Sequence, residues 1–387
     1  MSLRSHLYDA VAPRSRTRPR LKKIAVEADK HAAMLRHSAA ELIPQLIQPQ
    51  TRSLTIAITA YCNLRCTGCR YGRDFMPNAQ LPWELARDLL TDAKQAGVEY
   101  VRLYGGEPLL HPDLPKMVAH CVKIGLRVYV TTNGILLREK VDELYAAGLR
   151  DFTIGFYGVK DHYDNYVQRK DRFAALEASL DYVREKYGLE IGLRMNWLLM
   201  RPSCSVEALR EAWKYAVKYH FPMRVDLVHY SLPYFTEGPE KILQFTEADK
   251  PAIQAVTAEL IRLKHERPEL IDQSALSLAS IPDWLLKRDQ MRVPCDKYQM
   301  LWIGADGTVQ LCYVTFKLGN LHETRLRDML FTPEHHQAAR DAFALNCPNC
   351  HCGYDSRVHK HLPSFLKYSS SLVQLERSAR NGETSSR

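Results

Sequence analysis

The chain has 387 residues, 46% apolar and 25% charged, ordinary globular usage and enough for two or three domains at about 150 residues each. Eighteen glycines and twenty prolines exclude a collagen-like or broadly disordered chain. No apolar run reaches the roughly 18 to 20 residues of a membrane helix, and residues 1–23 lack the apolar core of a secretory signal, so a cytoplasmic protein with no membrane partner is expected. The formal charge of +9 concentrates in a basic extension, residues 1–52, where Arg4, Arg14, Arg16, Arg18, Arg20, Lys22 and Lys23 face the single early acid Asp9. Such an arm can contact phosphates or an acidic partner; a solvated tail fits the same composition, and a nucleic-acid partner is not expected.

Leu54 to Thr59 reads as a buried strand running into a loop with Cys62, Cys66 and Cys69. The next strand, Tyr100 to Tyr104, ends in Gly105-Gly106-Glu107-Pro108. Helical and strand patterns then alternate: helix 112–124, strand 127–131 ending at Thr132-Asn133-Gly134, helix 138–147, strand 151–156, helix 172–186, strand 190–199, helix 206–220 and strand 224–229. Alternation of this kind argues for a parallel sheet covered by helices, an α/β core over residues 53–235. A linker, residues 236–294, carries helices 248–265 and 276–287. Tyr234 and Phe235, just past the sixth strand, either line a pocket or pack in the core.

From Cys295 to Cys312 two apolar runs flank Ala305-Asp306-Gly307, a hairpin signal that brings those cysteines together. Leu318-Gly319-Asn320, a short helix at 326–331, a helix through Phe343 and Cys347-x2-Cys350-x-Cys352 follow. Residues 295–355 form a small module, and 356–387 are expected as a loose tail.

Clustered cysteines without a secretory signal point to metal ligation rather than disulfides. Three thiolates in an eight-residue loop can hold three irons of a cubane and leave the fourth open to a small molecule. A zinc loop would need a fourth ligand, and the nearest histidines, His37 and His111, are distant in sequence. Paired glycines at a strand end permit close backbone approach, and Glu107 can accept hydrogen bonds from an amino group. Cys121 and Cys204 read as buried small hydrophobes.

The pairing of Cys62-x3-Cys66-x2-Cys69 with Gly105-Gly106-Glu107-Pro108 resembles the radical S-adenosylmethionine (SAM) superfamily. The resemblance implies a partial (β/α)6 TIM-like barrel, a [4Fe–4S] cluster on the three cysteines and SAM on its open iron. It further implies reductive cleavage of SAM to a 5′-deoxyadenosyl radical that abstracts a substrate hydrogen, with an electron donor such as flavodoxin or ferredoxin. Site residues should lie at the C-terminal strand ends: Gly105, Gly106, Glu107, Pro108, Asn133, Arg194 and Asn196, with Arg194 able to pair with a carboxylate by its fork and Asn196 able to bond a ribose hydroxyl or that carboxylate. Two positions depart from the family pattern. The residue before the third cysteine, commonly aromatic, is Gly68, leaving Tyr71 or Phe75 to face adenine; and the fourth strand ends Ile154-Gly155-Phe156-Tyr157-Gly158 without the usual serine and acid.

The C-terminal module resembles the Twitch form of the SPASM extension, which implies an auxiliary [4Fe–4S] cluster on Cys295, Cys312, Cys347 and Cys350, with Cys352 spare or standing in for Cys347. Spacing alone also fits zinc. The implied reactions are dehydrogenation, epimerisation or crosslinking, on a small polar metabolite or on a ribosomally made peptide. Cys204 is the free thiol that could serve an epimerase as hydrogen donor. A noncatalytic zinc-binding interaction protein is the alternative of another class.

Overall fold

Apolar strands alternating with amphipathic helices build one open sheet. In the computed structural model, which describes residues 19–231, 238–313 and 316–384, six parallel strands lie side by side in chain order. They are β1 (Ser53–Thr59), β2 (Tyr100–Gly105), β3 (Arg127–Thr132), β4 (Asp151–Phe156), β5 (Gly192–Leu199) and β6 (Met223–Leu227). β1 and β6 are not neighbours, so the sheet forms the expected partial (β/α)6 barrel. Strand ends agree with the sequence expectation to within two residues.

Alternate residues divide the sheet into two faces. Leu54, Ile56, Val101, Leu103, Phe152, Ile154, Met195 and Trp197 are buried under the helices. Arg102, Tyr104, Tyr129, Thr131, Asn196 and Asp226 point into the lumen and stay partly exposed. The covering helices are α2 (Trp83–Gln95), α3 (Leu114–Lys123), α4 (Leu137–Ala146), α5 (Asp161–Val167), α6 (Arg172–Tyr187) and α7 (Val206–Lys218), after an N-terminal α1 (Pro19–Leu42). Helix α2 is not among the expected elements, although its buried Ala86, Leu89, Leu90 and Ala93 recur at helical spacing.

Of the two expectations about the termini, that for the tail is corrected. Residues 1–18, with most of the basic arm, lie outside the described residues, but α1 is helical and packs on the C-terminal region: His37 is buried with its ring 5.2 Å from Phe343 and 6.3 Å from Tyr298. The expected loose tail is instead α13 (Tyr354–Lys360) and α14 (Leu362–Thr384). Burial of Arg357, Val358 and Tyr368 holds it down, with the Tyr368 hydroxyl donating to Asp283 at 2.8 Å. The linker is helical as expected: α8 (Lys250–Glu266), α9 (Ala275–Ala279) and α10 (Ile281–Lys287). The single helix expected over 276–287 breaks at Ser280, next to Pro282, which has no N–H to give. Tyr234 and Phe235 lie outside the described residues.

The C-terminal module is a continuation of the core sheet rather than a separate unit. β7 (Met300–Ile303) pairs in parallel with β1, Ser53 opposite Met300 and Ile56 opposite Ile303. β8 (Thr308–Gln310) and β9 (Lys317–Asn320) follow antiparallel, giving nine strands. The free edge of β1 is a ready template for such pairing. Two short helices, α11 (Leu326–Met329) and α12 (Pro333–Ala344), complete the module. No helix among the described residues is long and apolar enough to cross a membrane.

Candidate functional site

β1 ends at Thr59 and delivers the chain into the first cysteine loop. Thr67 N–H donates to the Tyr166 carbonyl at 2.7 Å and Arg65 N–H to Val167 at 3.2 Å, strapping the loop to the end of α5. Arg73 reaches back to the carbonyls of Cys66 and Cys69. Gly68 adopts φ +83°, a left-handed turn that explains glycine where an aromatic residue would be strained. Packing raises all three thiols above the ordinary cysteine value, mainly by desolvation; three thiolates here need a positive partner to be stable.

The Gly-Gly-Glu-Pro turn lies against the start of that loop. Gly106 N–H donates to Thr59 and Glu107 N–H to Tyr61, both at 2.7 Å. A Cβ on Gly105 would stand 2.1 Å from the Thr59 carbonyl oxygen, and one on Gly106 2.3 Å from that of Tyr61, so only glycine allows this approach. Pro108 opens a short turn, Pro108–Leu110, in which Pro108 and Leu109 are buried.

Glu107 is fully buried and its carboxylate is spent internally. It accepts from Thr132 Oγ1 at 2.6 Å, Asn133 N–H at 2.8 Å and Leu109 N–H at 3.0 Å. Burial pushes it up to about 7 against these donors. These donors fix the turn to the end of β3 through Glu107. Asn133 extends the link, its Nδ2 donating to Asn63 Oδ1 in the cysteine loop at 2.8 Å, while Gly134 takes the left-handed conformation. Cys62, Gly105, Gly106, Glu107 and Asn133 thus meet at one end of the sheet.

Arg194 does not join them. It sits in the first half of β5, half-exposed and ion-paired with Asp272 at 2.5 Å, because its strand position places it away from the C-terminal end. Asn196 faces the lumen and donates to Asp226 at 3.1 Å.

An aromatic group escaped sequence reading. The Tyr157 hydroxyl folds back to 2.3 Å from where a Gly155 Cβ would stand, so the phenol fills the room left by the missing side chain. Its ring lies 4.7 Å from that of Tyr166 and 5.8 Å from that of Tyr163. The odd Gly155-Phe156-Tyr157 run was the available signal. Tyr71 is buried, its hydroxyl on Met76 Sδ at 3.2 Å, while Phe75 is exposed.

At the module, Cys295, Cys312, Cys347, Cys350 and Cys352 all line one cleft. Lys297, 3.9 Å from the Asp296 carboxylate, and Arg357 line it too, and among the described residues no carboxylate lines it. Arg357 is buried, donates to the carbonyls of Cys350, at 2.5 Å, and Val293, and lies 4.8 Å over Trp284. Cys350 is drawn below the ordinary thiol value by a hydrogen bond from the Cys352 thiol and by the nearby guanidinium. Among the described residues no three Cys, His, Asp or Glu side chains converge on a single mononuclear metal position. His111 is occupied by Leu81 O and Asp113 N–H. Cys121 and Cys204 pack in the main core.

Family comparison agrees with this division. Residues 56–196 match the family described as "Radical SAM superfamily", and residues 295–352, from Cys295 to Cys352, match the SPASM "Iron-sulfur cluster-binding domain". The chain carries a radical SAM domain and an SPASM domain. A radical SAM domain binds a [4Fe–4S] cluster and SAM, and an SPASM domain binds further iron–sulfur clusters.

Relatives include the GTP 3′,8-cyclase of Chlorobaculum tepidum, 33% identical over 38% of this chain and 44% of its own length. The Fe-coproporphyrin III synthase of Methanosarcina barkeri is 30% identical over 36% of this chain and 35% of its own. The chain spans about half or less of the length of these curated relatives. Among solved structures, anSMEcpe with AdoMet and the Cp18Cys peptide superposes with a TM-score of 0.61 at 17% identity, over 86% of this chain and 99% of that one. Streptococcus suis SuiB bound to precursor peptide SuiA gives 0.60 at 18% identity, over 78% and 69%. These establish the fold.

The residues fit the groups that such domains hold. A radical SAM loop offering three thiols, and an SPASM cavity offering soft thiols, two cations and no carboxylate, suit anionic thiolate-ligated clusters.

Proposed function

We propose that Cys62, Cys66 and Cys69 hold the SAM-binding cluster, that Cys295, Cys312, Cys347 and Cys350 hold one auxiliary cluster, and that the enzyme oxidises, epimerises or crosslinks a small polar metabolite. When bound and reduced, the first cluster with SAM supplies a hydrogen-abstracting 5′-deoxyadenosyl radical, and the auxiliary cluster supplies an electron acceptor. The observation that carries the reading is the meeting of the three-cysteine loop with Gly105, Gly106 and Asn133 at one end of an open parallel barrel.

The chain's own residues orient and shield. Gly105 and Gly106 let the turn close onto the Thr59 and Tyr61 backbone at the start of the cysteine loop. Asn133 holds the loop through Asn63. Tyr157, Tyr163 and Tyr166 wall the Cys66 side with apolar rings, excluding water from a reactive intermediate. An external reductant, a flavodoxin or ferredoxin, delivers the electron.

Curated relatives named for GTP and coproporphyrin chemistry support a metabolite. A second reading, maturation of a ribosomal peptide, is favoured by the superposition on peptide-bound anSMEcpe over most of both chains. The test incubates reduced, reconstituted enzyme and SAM with anionic metabolites or with peptides. Release of 5′-deoxyadenosine above the substrate-free rate with a metabolite supports the first reading; stimulation by peptides alone replaces it with the second.

A further inference from the structure

Four strand arginines share the lumen-facing side of the sheet; two are neutralised, and Arg127, exposed at the start of β3, donates to the Tyr100 hydroxyl at 2.8 Å. Arg194 pairs with Asp272 at 2.5 Å and Arg224 with Asp355 at 2.7 Å. Arg102, on β2, has no carboxylate within ion-pair distance among the described residues. Its Nε donates to Thr131 Oγ1 at 2.9 Å, and one terminal nitrogen donates to the Tyr313 hydroxyl at 3.0 Å. Its charged carbon lies 4.6 Å over the Tyr104 ring. The acid whose charge it senses, Asp226 across the lumen on β6, takes Asn196 as its side-chain partner.

Hydroxyls and an aromatic face orient a guanidinium but do not neutralise it. Drawing a charge out of water without a counter-ion is costly, and Arg102 stays partly exposed. Its surroundings are themselves fixed: the Tyr104 hydroxyl accepts from Trp302 Nε1 at 2.5 Å. The position is also informative. Arg102 lies three residues before Gly105 on the same strand, and its partner Tyr313 lines the auxiliary cysteine cavity. The unneutralised cation therefore stands between the two thiol sites.

We propose that Arg102 anchors an oxyanion of the substrate, a carboxylate or a phosphate, in the lumen between the two cysteine sites. A planar guanidinium with a free edge matches either group. This rests on the radical SAM reading above and narrows its substrate to an anion-bearing molecule, whether metabolite or peptide.

The test uses the full chain, reconstituted anaerobically with SAM but no reductant. It reacts with phenylglyoxal, an arginine reagent, with or without inorganic phosphate or succinate, and modified sites are mapped by mass spectrometry. Arg102 should react, and one of the anions should slow its reaction about tenfold, the scale of a charge-assisted pair, with ion-paired Arg194 and Arg224 unchanged. Protection by phosphate alone assigns a phosphate ester; protection by succinate alone assigns a carboxylate. Tyr313→Phe, which removes one aligning hydroxyl and keeps the guanidinium, should weaken protection, and Arg102→Gln should abolish anion binding measured by calorimetry. Arg102 unreactive throughout, or reacting at one rate with and without both anions, overturns the proposal. SAM cleavage is read separately, on a second portion of the same preparation given dithionite: cleavage there without protection sinks the anion anchor alone, and protection without cleavage sinks the enzymatic reading alone.

Discussion

Asn133, on the turn after β3, and Asn63, in the cysteine loop, are joined side chain to side chain at 2.8 Å. Asn133 Oδ1 meanwhile accepts from Ile135 N–H at 3.1 Å, so the amide is fixed at both ends. Asn133→Ala removes both bonds and should cost about 1 to 2 kcal/mol, with faster iron loss from the first cluster than from the second. Thermal melting and timed iron release into a chelator check this; unchanged release would mean the bridge does not hold the loop.

Glu107 gives the fold a pH signature. Its carboxyl titrates near 7 when folded and near 4.5 when exposed, so between those values the folded state binds the extra proton. Stability from this group is complete below about pH 4.5 and is lost as pH rises toward 7, by about 3 kcal/mol in all. Glu107→Gln removes the slope. It also lowers stability at every pH, because its amide nitrogen faces an N–H donor at either Leu109 or Asn133. Urea midpoints of the metal-free protein from pH 4.5 to 8 measure both effects.

Single cysteine replacements should sort the ligands. Cys62→Ser, Cys66→Ser and Cys69→Ser should each lower iron from about eight to about four per chain and abolish SAM cleavage. Cys347→Ser should lower iron by the same amount, and Cys352→Ser should leave it unchanged. Iron and acid-labile sulfide counts decide this; the reverse result for Cys347 and Cys352 would exchange their roles.

Arg357 places a buried cation beside the five-thiol cavity. A neighbouring positive charge favours the reduced form of an anionic cluster. Arg357→Met should lower the auxiliary cluster's reduction potential by roughly tens of millivolts, while Arg357→Lys should keep most of it. Arg357→Met also strips donors from the Cys350 and Val293 carbonyls and should cost about 2 to 4 kcal/mol. Lys297→Met should shift the potential in the same direction and by less, because Asp296 at 3.9 Å already offsets part of that charge. Potentiometric titration followed by electron paramagnetic resonance measures the shift.

What could be seen in advance follows the range of each interaction. Cys62, Cys66, Cys69 and the Gly105–Pro108 turn are local patterns whose spacing carries their chemistry, and the strands announce themselves by apolar runs. Pairing of β7 with β1 joins residues about 250 positions apart, and no local pattern encodes it. Arg194 looked free because its partner Asp272 belongs to a segment beyond the sixth strand. The internal bonds of Glu107 were not legible because its three donors come from two different turns. The tail read as loose because the buried face of Arg357, Val358 and Tyr368 is thin and polar residues surround it.

The central claim is two clusters, one of them cleaving SAM, and one measurement addresses it. The protein is reconstituted anaerobically, iron and sulfide are counted per chain, and SAM with dithionite is added. About eight irons with about eight sulfides, and release of 5′-deoxyadenosine, is the predicted result. Bound zinc with little iron and no SAM cleavage would contradict it.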